Sequence, residues 1–308
     1  MQTVLVTLIT LVAFAANSVL CRWALMDQTI DPLSFSIVRI LSGTLTLLIL
    51  LTLSLQSKSK SNSKPKQDSY NSGISGYTKL KSQFQLTSIL SLLVYMFGFS
   101  FAYLELGAGL GALVLFVAVQ FTMIAAYLFS GKRMSLIEWG GCLLSVAGLV
   151  YLLMPMESTQ APDLVSILLM SLAGVGWGIY TLAGKKSSNA LQSTTANFGF
   201  SSLVILLALS LFSLIPNALP QVSITEQGLI YAVISGAVAS GIGYSLWYYV
   251  VKKLNTVVAS IAQLSVPVIA TLGGVLLLSE LVTMQFIVSS TVILLGISLV
   301  LVAPKHKK

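Results

Sequence analysis

The sequence predicts an all-α membrane protein, with ten transmembrane helices arranged as two inverted five-helix repeats. Three observations carry that expectation. Apolar residues make up 56% of the 308 residues against 8% charged, with a mean hydropathy of +0.92; that charge content is about a third of what a water-facing domain carries. Apolar runs recur along the chain, each long enough to cross roughly 30 Å of hydrocarbon at about 1.5 Å per residue. The loops between them alternate in charge.

The first half breaks into segments at 3–24, 33–55, 86–106, 108–130 and 136–154. The second breaks at 164–184, 194–215, 227–250, 256–278 and 283–303. The opening run, MQTVLVTLITLVAFAANSVLC, lacks a basic leader and carries Asn17 inside its apolar stretch. It shows no small-x-small site before Cys21, so it reads as an uncleaved first helix rather than a signal peptide. Residues 56–84 are dominated by Ser, Lys, Asn and Gly. Such a stretch buries too little apolar area to order itself and reads as a disordered loop that attracts anionic headgroups. The connector 155–163, PMESTQAPD, has two prolines, two acids and no Lys or Arg. It separates a first repeat, 1–154, from a second, 164–303, and a basic tail follows at 304–308.

Lysines follow the second segment (Lys58, Lys60, Lys64, Lys66, Lys79, Lys81), the fourth (Lys132, with Arg133), the sixth (Lys185, Lys186) and the eighth (Lys252, Lys253), and close the tail. The other set of junctions holds Asp27, Asp31, Glu105, Glu157, Asp163, Glu226 and Glu280 with no lysine. The positive-inside bias then places both termini in the cytoplasm of a plasma membrane, the inner membrane of a bacterium. An error of one helix would scramble this alternation. Because five is odd, the second unit enters from the opposite side, a construction that puts the site near the midplane between halves. Traces of the repeat survive: Gly148 with LVYLLMP parallels Gly296 with ISLVLVAP, and AFAANSVL aligns loosely with AGVGWGIYT.

The net charge of +8 lies in these loops, where it orients helices rather than marking a nucleic-acid surface. Cys21 and Cys142 fall in separate apolar segments and read as packing residues, not a disulfide framework or metal site. Among the small residues, Gly174 and Gly178, Gly107 and Gly111, and Ala270 and Gly274 sit four apart, spacing that lets a neighbouring helix approach. Pro267 falls at the middle of its predicted segment, as a structural kink or as a hinge.

Polar residues inside apolar runs are expensive and normally face a partner or a wet cavity. Arg39 lies about 9 Å inside the second segment; it reads as a structural pair with Glu105 or a backbone carbonyl, or as a cargo contact. Arg22, near the end of the first segment, either snorkels to headgroups or contacts cargo. Asn17, Gln120 and Gln263 are expected to face inward, as hydrogen-bonding glue or as site lining. Tyr95, Trp177, Tyr180 and Tyr244 offer stacking walls, while Tyr248 and Tyr249, beside Lys252, read as an interfacial belt. No Asp or Glu lies mid-helix and the sole histidine, His306, is in the tail. Simple proton relays therefore have no carrier, and no metal, cofactor or catalytic constellation is expected.

With these motifs in place, the chain resembles the drug/metabolite transporter superfamily, in particular its EamA-like branch, over nearly its whole length. Pro267, Leu278-Ser279-Glu280 and Gly296 carry the resemblance in the second half; Asn17, Asp31-Pro32, Arg39 and Gly148 carry it in the first. Two positions depart from the symmetry: Val119 stands at the counterpart of Pro267, and Lys132 at that of Glu280. The resemblance implies a carrier of a small polar metabolite, an exporter of amino acids or related anionic or zwitterionic compounds. The first segment lacks the acid of the small multidrug branch. Its partners would be the bilayer and a small-molecule substrate, not nucleic acid, as a monomer or homodimer. The alternative is a non-transporting membrane scaffold or sensor on the same fold.

Overall fold

The computed structural model describes residues 2–61, 83–131, 133–154, 162–215, 222–254, 259 and 262–302. The predicted loop 56–84 over most of its length, Lys132, most of the 155–163 connector and the basic tail lie outside these residues. Ten helices follow one another within them: α1 (Gln2–Met26), α2 (Pro32–Ser61), α3 (Leu86–Ala102), α4 (Ala108–Phe129), α5 (Leu136–Leu153), α6 (Leu164–Lys185), α7 (Ala190–Phe212), α8 (Glu226–Val251), α9 (Ser265–Leu278) and α10 (Met284–Val302). Seven of them are long and apolar enough to cross a membrane; α3, α9 and, over Met284–Val300, α10 are apolar but shorter.

Local chemistry sets the boundaries. Asp31 opens α2 by accepting from Ser34 N at 2.8 Å, and Pro32 takes the first helical position, where its missing N–H would be unpaired anyway. Ser135 and Glu138 form a reciprocal capping box at the start of α5. Asp163 caps α6 through Ser166 N at 2.7 Å. Asn189 caps α7 through Gln192 N at 3.0 Å, which starts that helix four residues before the predicted 194. The predicted 86–106 segment stops at Ala102 because the chain turns through Tyr103–Leu106 into Gly107, the N-cap of α4.

In the second half the chain is helical at 259 and 262–263, turns at Leu264 and is helical again from Ser265. The interruption lies within the turn preceding Pro267, where the ring and the missing N–H act. α8 is not a uniform α-helix either; Ser235–Ile242 winds as a π-helix between two α-helical stretches.

α1 packs on α8 and α9, and α6 packs on α3 and α4; α2 lies against α7 and α8, α4 meets α9, and α5 pairs with α10. Small residues permit these approaches. A methyl group added at Gly178 would lie 2.8 Å from Thr122 Cβ on α4, and one at Gly296 would lie 2.6 Å from Gly141 O on α5. The main apolar core draws on α1–α4 and α6–α9, and a smaller cluster joins α4, α5, α9 and α10 through Leu113, Leu152, Leu264 and Ile293.

The junctions gather at two ends. At one, Asp31 N donates to Ser223 O (2.9 Å) and Thr225 N to Thr29 O (2.8 Å) around an isolated Ile30–Ile224 bridge. Nearby, Arg22 Nη1 donates to Tyr103 O (3.1 Å) and Leu104 O (2.7 Å), and Gln285 Nε2 to Tyr151 O and Met154 O (both 2.8 Å). At the other, Ser193 Oγ donates to Gln83 Oε1 (2.8 Å) and Lys252 Nζ to Ser188 O (3.0 Å).

Candidate functional site

The side chain that organises the interior is Arg39. About two turns inside α2, it is completely buried, yet among the described residues no carboxylate pairs with it. Its Nε donates to Ser240 Oγ (2.9 Å), and its Nη2 to Tyr95 OH (3.0 Å) and Tyr244 OH (2.6 Å). The guanidinium carbon lies 4.8 Å from the Phe99 ring centroid and 5.3 Å from that of Tyr95, within the reach of a cation–π contact. Nη1 has no hydrogen-bond partner among the described residues. The expected partner Glu105 is exposed in the α3–α4 turn instead. Hydroxyls and ring faces, not an acid or a backbone carbonyl, hold this cation.

Around it runs a connected polar network. Asn17 Nδ2 donates to Tyr95 OH (3.2 Å), Ser235 Oγ donates to Asn17 Oδ1 (2.5 Å), and the hydroxyls of Tyr95 and Tyr244 lie 2.8 Å apart. The π-helical stretch explains how two serines of α8 reach this network. An i→i+5 ladder puts more than four residues in each turn, so Ser235 and Ser240 come round toward one face, where α-winding would set them about 140° apart. Gly236 makes that stretch fit, because a Cβ there would strike Ser42 Oγ and the backbone of Arg39 itself.

Aromatic rings wall the network. Trp177 stands 4.6 Å from Tyr244, 5.0 Å from Tyr95 and 5.6 Å from Tyr180, centroid to centroid, and Phe14 meets Trp177 edge-on at 5.1 Å. Trp177 Nε1 donates to Gln263 Oε1 at 3.2 Å, which ties α6 to the chain just before α9. Thus Asn17, Arg39, Tyr95, Trp177, Tyr180, Tyr244 and Gln263 form one buried cluster drawn from α1, α2, α3, α6, α8 and the approach to α9. Tyr248, expected in an interfacial belt, is buried and donates to Tyr180 O at 3.0 Å, so it extends the cluster. Tyr249 does face outward, beneath Lys253 Nζ.

Two predicted residues lie elsewhere. Gln120, on α4, is buried beside a small crevice with Cys142 and Ser145. Arg22 does not snorkel freely: besides the two carbonyls of the α3–α4 turn, its Nε lies 3.5 Å from Glu280 Oε1. That carboxylate accepts from Ala108 N at 3.0 and 2.9 Å, at the N-terminus of α4, where a negative charge is favoured. Glu280 reaches it because α9 ends in Ser279 at φ 55°, with Glu280 N donating to Gly274 O at 3.1 Å. A cavity of about 400 Å³ opens beside this pair.

Phe99 and Ser240 were legible in principle, since each lies four residues from a tyrosine of the site and so shares its helical face. Ser235 was not, because its place depends on the π-winding. Glu280 was noted as part of a turn, with no signal that it would reach back to α1 and α4.

These features define a multi-pass helical membrane protein with a cationic, aromatic-walled site buried between helices of both halves. The chain belongs to the EamA-like transporter family, whose model matches residues 1–154 and 164–302. It is 38% identical over 305 residues to an uncharacterized protein of Pseudomonas aeruginosa, covering 99% of this chain and 96% of that one. Proteins described as uncharacterized transporters in Archaeoglobus fulgidus (25% identical, 69% of this chain, 74% of theirs) and Bacillus subtilis (23%, 69% and 73%) are also similar. A protein of known crystal structure matches the fold with a TM-score of 0.58 at 17% identity, covering 95% of this chain and 96% of that one.

Proposed function

We propose that the protein is a secondary carrier that exports a small anionic or zwitterionic metabolite, amino acids or related compounds, by alternating access. The observation that carries this reading is Arg39, a completely buried guanidinium with, among the described residues, no acid beside it and one amino group without an acceptor. A charged residue mid-membrane costs about 2.5–3.5 kcal/mol on insertion scales and generally marks a substrate or ion path. A cargo carboxylate would supply the missing counter-charge. Asn17, Tyr95, Tyr244 and Gln263 would supply hydrogen bonds, and Trp177 and Tyr180 apolar walls. Gln120 and Arg22 would serve along the path, and Pro267 as the hinge where α9 restarts.

The packing supports two inverted five-helix repeats, 1–154 and 164–303. Exchanging each helix for the one five places on carries α1–α8 onto α6–α3 and α1–α9 onto α6–α4, while α2–α7, α4–α9 and α5–α10 map onto themselves. In this arrangement the lysine-bearing end is cytoplasmic, with both termini in the cytoplasm of a bacterial inner membrane.

The test is thermal unfolding of the purified protein across a metabolite panel, followed by counterflow in proteoliposomes for each hit. A ligand at about 100 times its Kd adds about 2.7 kcal/mol of stability. The expected hits carry a carboxylate and are transported. A set of hits that are exclusively cations, or stabilising ligands that are never moved, refutes the proposal; the second result would mark a sensor on the same fold.

A further inference from the structure

We propose that the cavity beside Arg22 and Glu280 is a second binding site, for a small carboxylate with a short apolar tail, and that the Glu280 side chain is its built-in competitor. The cavity, about 400 Å³, lies at the end of the bundle that carries the acidic junctions, away from the Arg39 cluster. Its charged end is Arg22, while Leu110, Val275 and Phe286 give it apolar walls.

Arg22 is fixed by its Nη1 bonds to Tyr103 O and Leu104 O, so the guanidinium stays in place whatever its other side meets. That other side, the buried Nε, makes no hydrogen bond. Glu280 Oε1 stands 3.5 Å away, near enough to pair but too far to bond well. The opposite flank of the same carboxylate is bound to Ala108 N. One carboxylate therefore spans two positive groups and satisfies only one of them closely.

Its tether can give way. Residues 279–283 are not helical, and the side chains of both Arg22 and Glu280 remain partly exposed, at 16% and 19%. A solute carboxylate entering the cavity would take Arg22 Nε, with its tail against Phe286 and Val275, while Glu280 keeps Ala108 N or swings clear. Such an exchange would loosen the tie that joins α1, α4 and α9 at this end. This inference does not depend on what Arg39 binds.

The test uses the purified full chain and sodium butyrate as probe, with butylammonium chloride and sodium chloride at matched ionic strength as controls. The readout is the butyrate concentration giving half of the shift in unfolding midpoint. In Glu280→Ala the competitor is gone, and butyrate should act at about tenfold lower concentration than in the unaltered protein, a loss of about 1.4 kcal/mol of competition. Glu280→Gln retains an oxygen for Ala108 N and serves where the alanine variant folds poorly; it should shift the same way. Adding Arg22→Gln should abolish the response. The proposal falls if butyrate acts no better than chloride in both Glu280 variants, if the response survives loss of Arg22, or if the unaltered protein responds as strongly as the variants. Since the assay reads binding alone, failure of the carrier proposal in proteoliposomes would leave this result standing.

Discussion

Replacing Arg39 with leucine separates the cost of holding a cation from its use. Hydrogen bonds to a charged group are worth about 1.5–3 kcal/mol each, and Arg39 makes three. The oxygens it leaves are not orphaned: Tyr95 and Tyr244 keep their 2.8 Å contact, Asn17 still donates to Tyr95, and Ser240 to Tyr244. Against the lost bonds stands the desolvation of an ion with no acid beside it, several kcal/mol in its own right. Gain and loss are of one size, so unfolding free energy should change by no more than about 2 kcal/mol. Transport should respond quite differently. A cargo carboxylate that loses two charge-assisted bonds loses about 3–6 kcal/mol, roughly a 10²- to 10⁴-fold drop in flux at limiting cargo. Arg39→Lys keeps the charge but not the planar fork, and should recover only part of it. The assay pairs counterflow in proteoliposomes with thermal unfolding of the same preparations. Wild-type flux in Arg39→Leu would refute the assignment. So would a stability loss large enough to explain the lost flux, which would make Arg39 a structural residue.

Three further outcomes follow from the geometry. Gly236→Ala puts a methyl against Ser42 and the Arg39 backbone, and should cost about 1–3 kcal/mol of stability together with transport; Gly199→Ala, inside α7 and meeting nothing within 4 Å, should instead raise stability by about 0.4–1 kcal/mol. Burial pushes the Asp31 carboxyl up, but hydrogen bonds from Ser34 and Ser223 outweigh it and hold the group below its ordinary 3.8. Its contribution to stability is therefore present above pH 3.8 and is lost as pH falls through the lower folded value; thermal unfolding against pH should lose part of its acid limb in Asp31→Asn. Cysteines placed at Ser69 and Ser158 should label from opposite faces of the membrane, and labelling from one face would overturn the inverted pairing.

Much of the fold was legible because a bilayer leaves few choices. Backbone groups in hydrocarbon must bond within their own helix, so apolar length marked the helices, and the lysine and acid alternation fixed their number. What stayed hidden depended on single side chains outside the apolar pattern. The early start of α7 follows from Asn189, one cap among many polar loop residues. The early end of α3 follows from a turn whose residues, Tyr103 and Leu106, are as apolar as the helix before them. Pro267 pointed to a kink within 256–278, and the described chain does turn at Leu264 before α9; hydropathy, unbroken across the segment, carried no mark of it.

At the site, residue type was informative and partner choice was not. An arginine inside an apolar run had to face inward, and so did Asn17 and Gln263; cost alone dictates that. Which groups would meet them depended on α8, where five residues per ladder step, not four, turn Ser235 and Ser240 to one side. Residues Gly236, Gly241 and Gly243 hinted at close packing but not at altered winding. The π-helical stretch and Arg39 therefore form one device. Gly236 lets α8 lie against the backbone at Arg39, Ser240 and Tyr244, one turn apart, receive its Nε and Nη2, and the wider winding brings Ser235 round to Asn17. Were α8 to return to ordinary winding, Ser235 would turn off the face that holds Ser240 and Tyr244, and Asn17 would lose its donor.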